Sequence, residues 1–212
     1  MSTVQALLNH MQFTYDSIDS GNFVISVFLD FKKAFDTVDH KILLSKLDFY
    51  GIRGVSHEWL KSYLSERNQI TVIDAITSSS SSISHGVPHG SVLCPLLFLI
   101  FINDLPKSSL FKFILFADDS TLSTSFPEEN ALEFTLTLNH ELNNVNNWLT
   151  SYSICINGDK TKCKIFSYRK LLHLTNIKIG SATIEETNNI KFFGIIFDKH
   201  LTFKHNVDVI AR

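Results

Sequence analysis

The chain has 212 residues, 44% of them hydrophobic and 12% aromatic, enough to bury the core of one domain, with room for an appendage. Nineteen basic against 21 acidic residues leave a net charge of −2, which argues against the broadly basic face of a nucleic-acid binder, so that any polyanionic partner must be held locally or with metal help. Cys94, Cys155 and Cys163 are odd in number, far apart and without a CxxC pair, which speaks against both a disulfide framework and a zinc ribbon.

The opening "MSTVQALLNHMQFTYD" lacks the basic end and apolar block of a signal peptide. The longest apolar run, Val92 to Ile102, is too short to cross a bilayer. An intracellular protein, nuclear or cytoplasmic, with no membrane partner is therefore expected. Oligomeric state is not readable from these features.

In chain order, "NFVISVFLD" (Asn22 to Asp30) is β-branched and aromatic on both alternating faces, as in a strand covered on each side. From Asp39, Ile42, Leu43, Leu47 and Tyr50 recur at helical spacing up to a stop at Gly51, with Asp36 and Asp39 placed as caps. "HEWLKSYLSERN" predicts a short helix and "QITVIDAIT" a strand running into a low-complexity loop over Ser78 to Ser82. "SHGVPHGSVLCPLLFLIFINDLP" predicts a glycine-punctuated loop followed by a buried helix with Pro95 near its start.

"FKFILFADDSTLSTSF" reads as a hairpin with Ala117, Asp118 and Asp119 at its corner. Leu138, Leu142, Val145 and Leu149 mark one face of a further helix. "CINGDKTKCKIF" supplies a turn at Gly158 and another strand, and short strands are expected around Gly180 and Gly194. Helices and hairpins without strict βα alternation argue for an α+β fold, an antiparallel sheet backed by helices.

Two adjacent carboxylates at the end of a core strand repel unless protons, cations or water take up the charge. Asp30 also ends a core strand. Neighbouring strands lie roughly 4.8 Å apart and paired metal ions about 3.5–4 Å apart, so carboxylates on adjacent strands span the right distance to share divalent cations. The plainer reading of Asp118 and Asp119 is a polar hairpin turn.

The blocks "FLDFKKAFDTVDHKILLSKLDFYGI", "GVPHGSVLCPLLFLIFINDL" and "FADDS", followed by "INGDKTKCKIF" and "IKFFGIIFDKHLTFKHNVD", resemble in order and spacing the core of non-LTR (LINE-type) retrotransposon reverse transcriptases. The likeness runs from about Val27 to Val207. It implies a polymerase palm that uses an RNA template to add deoxynucleotides to a DNA primer 3′ end. By resemblance, Asp30, Asp118 and Asp119 form the acidic cluster for two Mg2+ ions, with Mn2+ as an alternative, and Lys160 is a proton donor near the leaving pyrophosphate.

Phe35 matches the bulky residue beneath the incoming sugar, and Gly86, His89 and Gly90 match the loop along the nucleotide. The family has Gln where His89 stands and Gly where Cys94 stands. The resemblance further implies a palm-like core over residues 1–170, with fingers largely missing, and a short strand-rich region toward the thumb over 171–212. The alternative reading is a decayed, non-catalytic remnant that folds or binds nucleic acid weakly.

Overall fold

The computed structural model describes residues 2–169, 174, 176–204, 206 and 207. Helix α1 (Thr3–Asp19) leads into β1 (Phe23–Leu29), then α2 (His40–Phe49) and α3 (Val55–Leu64). Four short strands follow, β2 (Arg67–Gln69), β3 (Val72–Ile73), β4 (Ile76–Thr77) and β5 (Ser81–Ile83), before α4 (Leu93–Ile102). The hairpin β6 (Lys112–Phe116) and β7 (Asp119–Phe126) precedes α5 (Ala131–Ser151) and β8 (Lys162–Phe166). The last strands are β9 (Lys178–Ile179), β10 (Ala182–Thr183), β11 (Glu185–Glu186), β12 (Asn189–Phe192) and β13 (Ile195–Asp198).

The chain divides into two compact units, a sheet unit of Met1–Phe31, Pro106–Trp148 and Ile156–Arg212, and a helical unit of Lys32–Leu105 and Leu149–Cys155. In the sheet unit five strands run in the order β11-β8-β1-β7-β6. Every pair is antiparallel except β11 on β8, which is parallel. The expected α+β architecture is present, with this one parallel edge pair added.

All seven residues of β1 are buried, because the sheet is covered on both faces. On one face His10 of α1 reaches Ser26, and Ser26 bonds Ser123, at 3.0 and 2.8 Å. On the other, Phe126 stacks on Phe134 of α5 at 4.0 Å between ring centroids. Ser123 and Phe126 are an odd number of residues apart on one strand and therefore point to opposite faces. Ala6, Leu7 and Ile18 of α1 share a core with Val24, Phe28, Phe166, Phe192 and Phe197, so β12 and β13 are packed into the sheet unit.

In the helical unit, Leu43 and Leu47 of α2 and Leu97, Phe98, Phe101 and Ile102 of α4 are buried. Asp39 caps α2, its carboxylate accepting from the Lys41 and Ile42 amides. The ammonium of Lys46 donates to the Phe101 carbonyl and the Asp104 carboxylate and stands 4.1 Å from the centroid of the Tyr152 ring. Tyr152 donates in turn to Asp104 at 3.0 Å, and burial followed by that carboxylate pushes the phenol up to about 12.

Several expectations change. Helix α1 is an element the sequence pattern had not assigned. "QITVIDAIT" is not one strand: Asp74 and Ala75 adopt positive φ, 47° and 67°, and fold it into the β3–β4 hairpin. Such a two-residue turn matches the twist of flanking strands. Ser81 and Ser82 are not loop but pair with Arg67–Gln69 as β5.

Asp36 is not a helix cap; it closes a 3-10 turn over Ala34–Asp36. The strands around Gly180 and Gly194 are present as β9–β10 and β12–β13. The boundary expected at 170–171 lies outside the described residues.

The apolar stripe of α5 sets a contrast that can be measured. Leu142 is fully buried and Leu136 is 73% exposed. Leu142→Ala is expected to cost about 2–5 kcal/mol, and Leu136→Ala no more than about 0.5 kcal/mol, in urea denaturation.

Candidate active site

The acids come together through strand register. Leu29 lies opposite Ser120 on β7, so Asp30, the next residue, meets the end of the strand that Asp119 begins. The β6–β7 hairpin closes with Phe116 opposite Asp119, leaving Ala117 (φ 52°) and Asp118 at its tip. The backbone of Asp30 is pinned on both sides: its amide donates to Thr161 Oγ1 at 3.2 Å, and its carbonyl accepts from the Asn157 amide at 2.8 Å. This fixes the main chain and leaves the carboxylate unclaimed.

A cavity of about 160 Å³ is lined by Asp30, Asp119, Ser120 and Thr121 on the sheet side and by Lys160, Lys191 and Phe192 elsewhere. The Ser120 hydroxyl in its wall is buried and without a hydrogen-bond partner among the described residues. Asp118 is exposed beside it. Desolvation first, then the charges of Asp118 and Asp30, raise the pKa of Asp119. Asp119 thus feels both neighbouring carboxylates, and among the described residues no hydrogen bond or ion pair relieves it.

Among the described residues no group of three or more His, Cys, Asp or Glu side chains forms a ready cage for a metal ion. A small hard cation such as Mg2+ needs none, since it keeps several waters and takes one or two carboxylates together with substrate phosphate oxygens. Two oxygen-donor carboxylates sharing an open cavity, uncommitted to any protein donor, fit that requirement.

Lys160 lies in the turn before β8, its amide bonded to the Asn157 carbonyl, and it reaches the acidic cavity. The lysines after it are otherwise engaged. Lys162 pairs with Glu185 at 2.7 Å, and the buried Lys164 donates to the carbonyls of Thr187 and Asn188. Lys160 is thus off the strand that carries Lys162 and Lys164, and pairing of β11 with β8 ties up Lys162.

The helical unit carries the remaining candidates. The Phe35 ring packs 4.7 Å from Phe98 and 5.7 Å from His89, centroid to centroid. His89 Nε2 and the Asp36 carboxylate are 2.8 Å apart, both exposed. Gly86 has φ +88°, and a Cβ there would stand 2.9 Å from the Asp36 carbonyl, so this loop needs glycine to pass so close to the backbone. Its amide donates to the Val38 carbonyl and that of Val87 to the Phe35 carbonyl, which stitches the loop to residues 35–38.

A second cavity, of about 470 Å³, is lined by Lys33, Asp36, Arg67, Gln69, His85 and the 86–89 loop. Gly90, at φ +78°, has open space around it. Cys94 is buried in the first turn of α4, and burial, then the nearby Asp36 charge, raises its thiol pKa.

Sequence reasoning did not find Thr161 and Asn157, the residues that fix Asp30, nor the cavity cations Lys33 and Arg67. The turn residues Asn157 and Gly158 were visible as a turn. The hydrogen bonds of Thr161 and Asn157 to Asp30 join residues far apart in the chain, the first 131 positions apart, and local spacing cannot carry such a contact.

Residues 2–197 match the family described as reverse transcriptase (RNA-dependent DNA polymerase), and the chain belongs to that family. Its relatives are polymerases of non-LTR retrotransposons. It is 29% identical, over 100% of this chain and 24% of the relative, to a probable RNA-directed DNA polymerase from transposon BS of Drosophila melanogaster. It is 26% identical, over 99% of this chain and 23% of the relative, to the RNA-directed DNA polymerase from mobile element jockey of the same organism.

The chain thus spans about a quarter of the length of these relatives. Among solved structures, an apo telomerase from Candida tropicalis truncated from its C-terminal domain superposes with a TM-score of 0.63 at 14% identity, over 96% of this chain and 39% of that one, which shows the shared fold. Reverse transcriptases bind a nucleic-acid template and primer and use divalent metal ions. No helix among the described residues is long and apolar enough to cross a membrane.

The raised pKa of Asp119 gives a pH signature. The ionised form is the disfavoured one, so its cost to stability is absent below the ordinary carboxylate range, grows as pH rises through the raised pKa, and is complete at neutral pH. In chelator-containing buffer, Asp119→Asn is expected to melt above the wild type near pH 7, and the gap is expected to close as pH falls toward about 4. Thermal denaturation across that range checks it; a wild type that gains on the variant with rising pH contradicts the account.

Proposed function

We propose that this chain is the palm-like core of an RNA-directed DNA polymerase that joins deoxynucleoside triphosphates to the 3′ end of a DNA primer along an RNA template. The observation that carries the reading is the meeting of Asp30 and Asp119 across the β1–β7 register, in one cavity with Lys160 and with no protein donor to relieve the charge. Asp30, Asp118 and Asp119 would hold two Mg2+ ions, or Mn2+, whose chemistry favours the ionised primer hydroxyl and offsets charge on the leaving pyrophosphate.

The chain's own groups do the rest. Thr161 and Asn157 hold the Asp30 backbone in place, so the carboxylate needs little reorganisation to act. Lys160, exposed at the cavity, is the proton donor to the departing pyrophosphate. In the helical unit, Phe35 is the sugar gate, its ring braced by Phe98 and His89. Gly86 and Gly90 let backbone approach the nucleotide, and His89 contacts it with a ring already shared with Asp36. Residues 1–170 form the palm-like core and 171–212 the strand-rich region toward the thumb.

Primer extension on an RNA template with magnesium tests the reading. The wild-type chain is expected to add deoxynucleotides and Asp118→Ala to lose at least about a hundredfold in rate, the scale of removing one preorganised electrostatic group from an enzyme site. Extension by neither protein points to a folded, non-catalytic remnant. In an active chain, Phe35→Ala is expected to raise ribonucleotide incorporation relative to deoxynucleotide, measured by competition. Unchanged sugar selection removes the gate.

A further inference from the structure

Trp59, Tyr63 and Arg67 recur every fourth residue from the middle of α3 to the first residue of β2, so they stand in a row on one side of the helical unit. The Trp59 side chain is 56% exposed, although a ring of that size is favoured inside a protein. Its plane lies 12° from that of Tyr63, with centroids 5.6 Å apart. The Arg67 guanidinium carbon stands 5.6 Å from the Tyr63 ring centroid on the next step of the ladder.

Arg67 also lines the cavity of about 470 Å³, together with Lys33, Gln69, His85 and His89. One carboxylate, Asp36, is in that lining, and His89 is already bonded to it. The aromatic row therefore runs into a cavity whose free charge is positive.

Exposed Val55 continues the apolar surface one turn earlier on α3, while Glu58, Ser62 and Glu66 flank the row as exposed polar residues and Glu58 is balanced by Lys61 at 3.6 Å. Two stacked aromatic rings that lead to a guanidinium suit a planar base. A flat base presents a π face whatever its identity, and Arg adds a cation–π contact.

We propose that the exposed Trp59 ring, backed by Tyr63 and Arg67, forms a stacking platform for the unpaired bases of a single-stranded nucleic acid whose backbone enters the cavity at Lys33, Arg67 and His85. The proposal rests on the reading of this chain as a template-directed polymerase and adds to it where an unpaired strand is held. Stacking makes the contact indifferent to sequence, while the cations make it sensitive to salt.

The test is binding of labelled single-stranded RNA and DNA of about twelve nucleotides, a length within the range of single-strand sites, to the full chain by fluorescence anisotropy at several salt concentrations. Trp59→Ala is expected to weaken binding roughly 5- to 150-fold, equally for oligo-A and oligo-U, and Trp59→Phe to keep most of the affinity. The melting temperature of Trp59→Ala should match the wild type, because the ring is exposed. Arg67→Gln is expected to lower the salt slope by about one counterion.

Asp118→Ala, run alongside, separates the two claims: it should bind single strands as the wild type does while losing extension. If neither the wild type nor Asp118→Ala extends a primer but Trp59→Ala loses strand binding, the polymerase reading fails and the platform stands. Wild-type oligonucleotide affinity in Trp59→Ala overturns the platform, as does a wild-type chain that binds no single strand. Loss of self-association in Trp59→Ala on sedimentation, with strand affinity intact, overturns it in favour of a protein interface.

Discussion

Like charges held together by strand register are the constraint on which the site depends. Pairing of β1 with β7 is antiparallel and continuous from Phe23 opposite Phe126 to Leu29 opposite Ser120, and a slip of one residue would send Asp30 to the other face of the sheet. The all-buried β1 cannot slip, because both its faces are packed, one beneath α1 and one toward α5. Carboxylates whose charges oppose one another are thus held in place by the packing of the strands that carry them. What the fold leaves unsatisfied there is a demand for positive charge.

The same logic of fixed backbone and free side chain recurs around Asp30. Thr161 and Asn157 take its amide and carbonyl, which pins its main chain, while its carboxylate meets no donor among the described residues. In the helical unit the loop at Gly86 is stitched to residues 35–38 by backbone hydrogen bonds, and the close approach to Asp36 is open to glycine alone. Both units thus hold their candidate residues on backbone that main-chain and side-chain hydrogen bonds pin in place.

Polar groups in the interior are handled differently. Lys46, Asp104 and Tyr152 satisfy one another, and the lysine is also held over the Tyr152 ring, so each charge or dipole taken out of water finds a partner. Lys164 is nearly inaccessible yet donates to two carbonyls. His10, like the Ser120 and Tyr63 hydroxyls, departs from this: its Nε2 meets Ser26, its Nδ1 finds no partner among the described residues, and burial, then Lys112, lowers its pKa to about 4. It is therefore neutral at physiological pH and behaves as part of the aromatic core around Phe28, Phe166, Phe192 and Phe197.

By itself the sequence determined whatever is local or periodic: the doubly covered strand at Phe23–Leu29, the Asp39 cap, the buried α4, the Ala117–Asp118 corner, and the α5 stripe of Leu138, Leu142, Val145 and Leu149. The ordered blocks carried the family as well. Only the tertiary structure decided which distant residues meet. It put Thr161 on Asp30, His89 on Asp36 instead of leaving Asp36 as a cap, Glu185 on Lys162, and folded Val72–Thr77 into a hairpin. Alternation and helical spacing report which face of an element is buried; they carry no information about what lies across the gap, because that contact is made between segments the chain has folded back from far away.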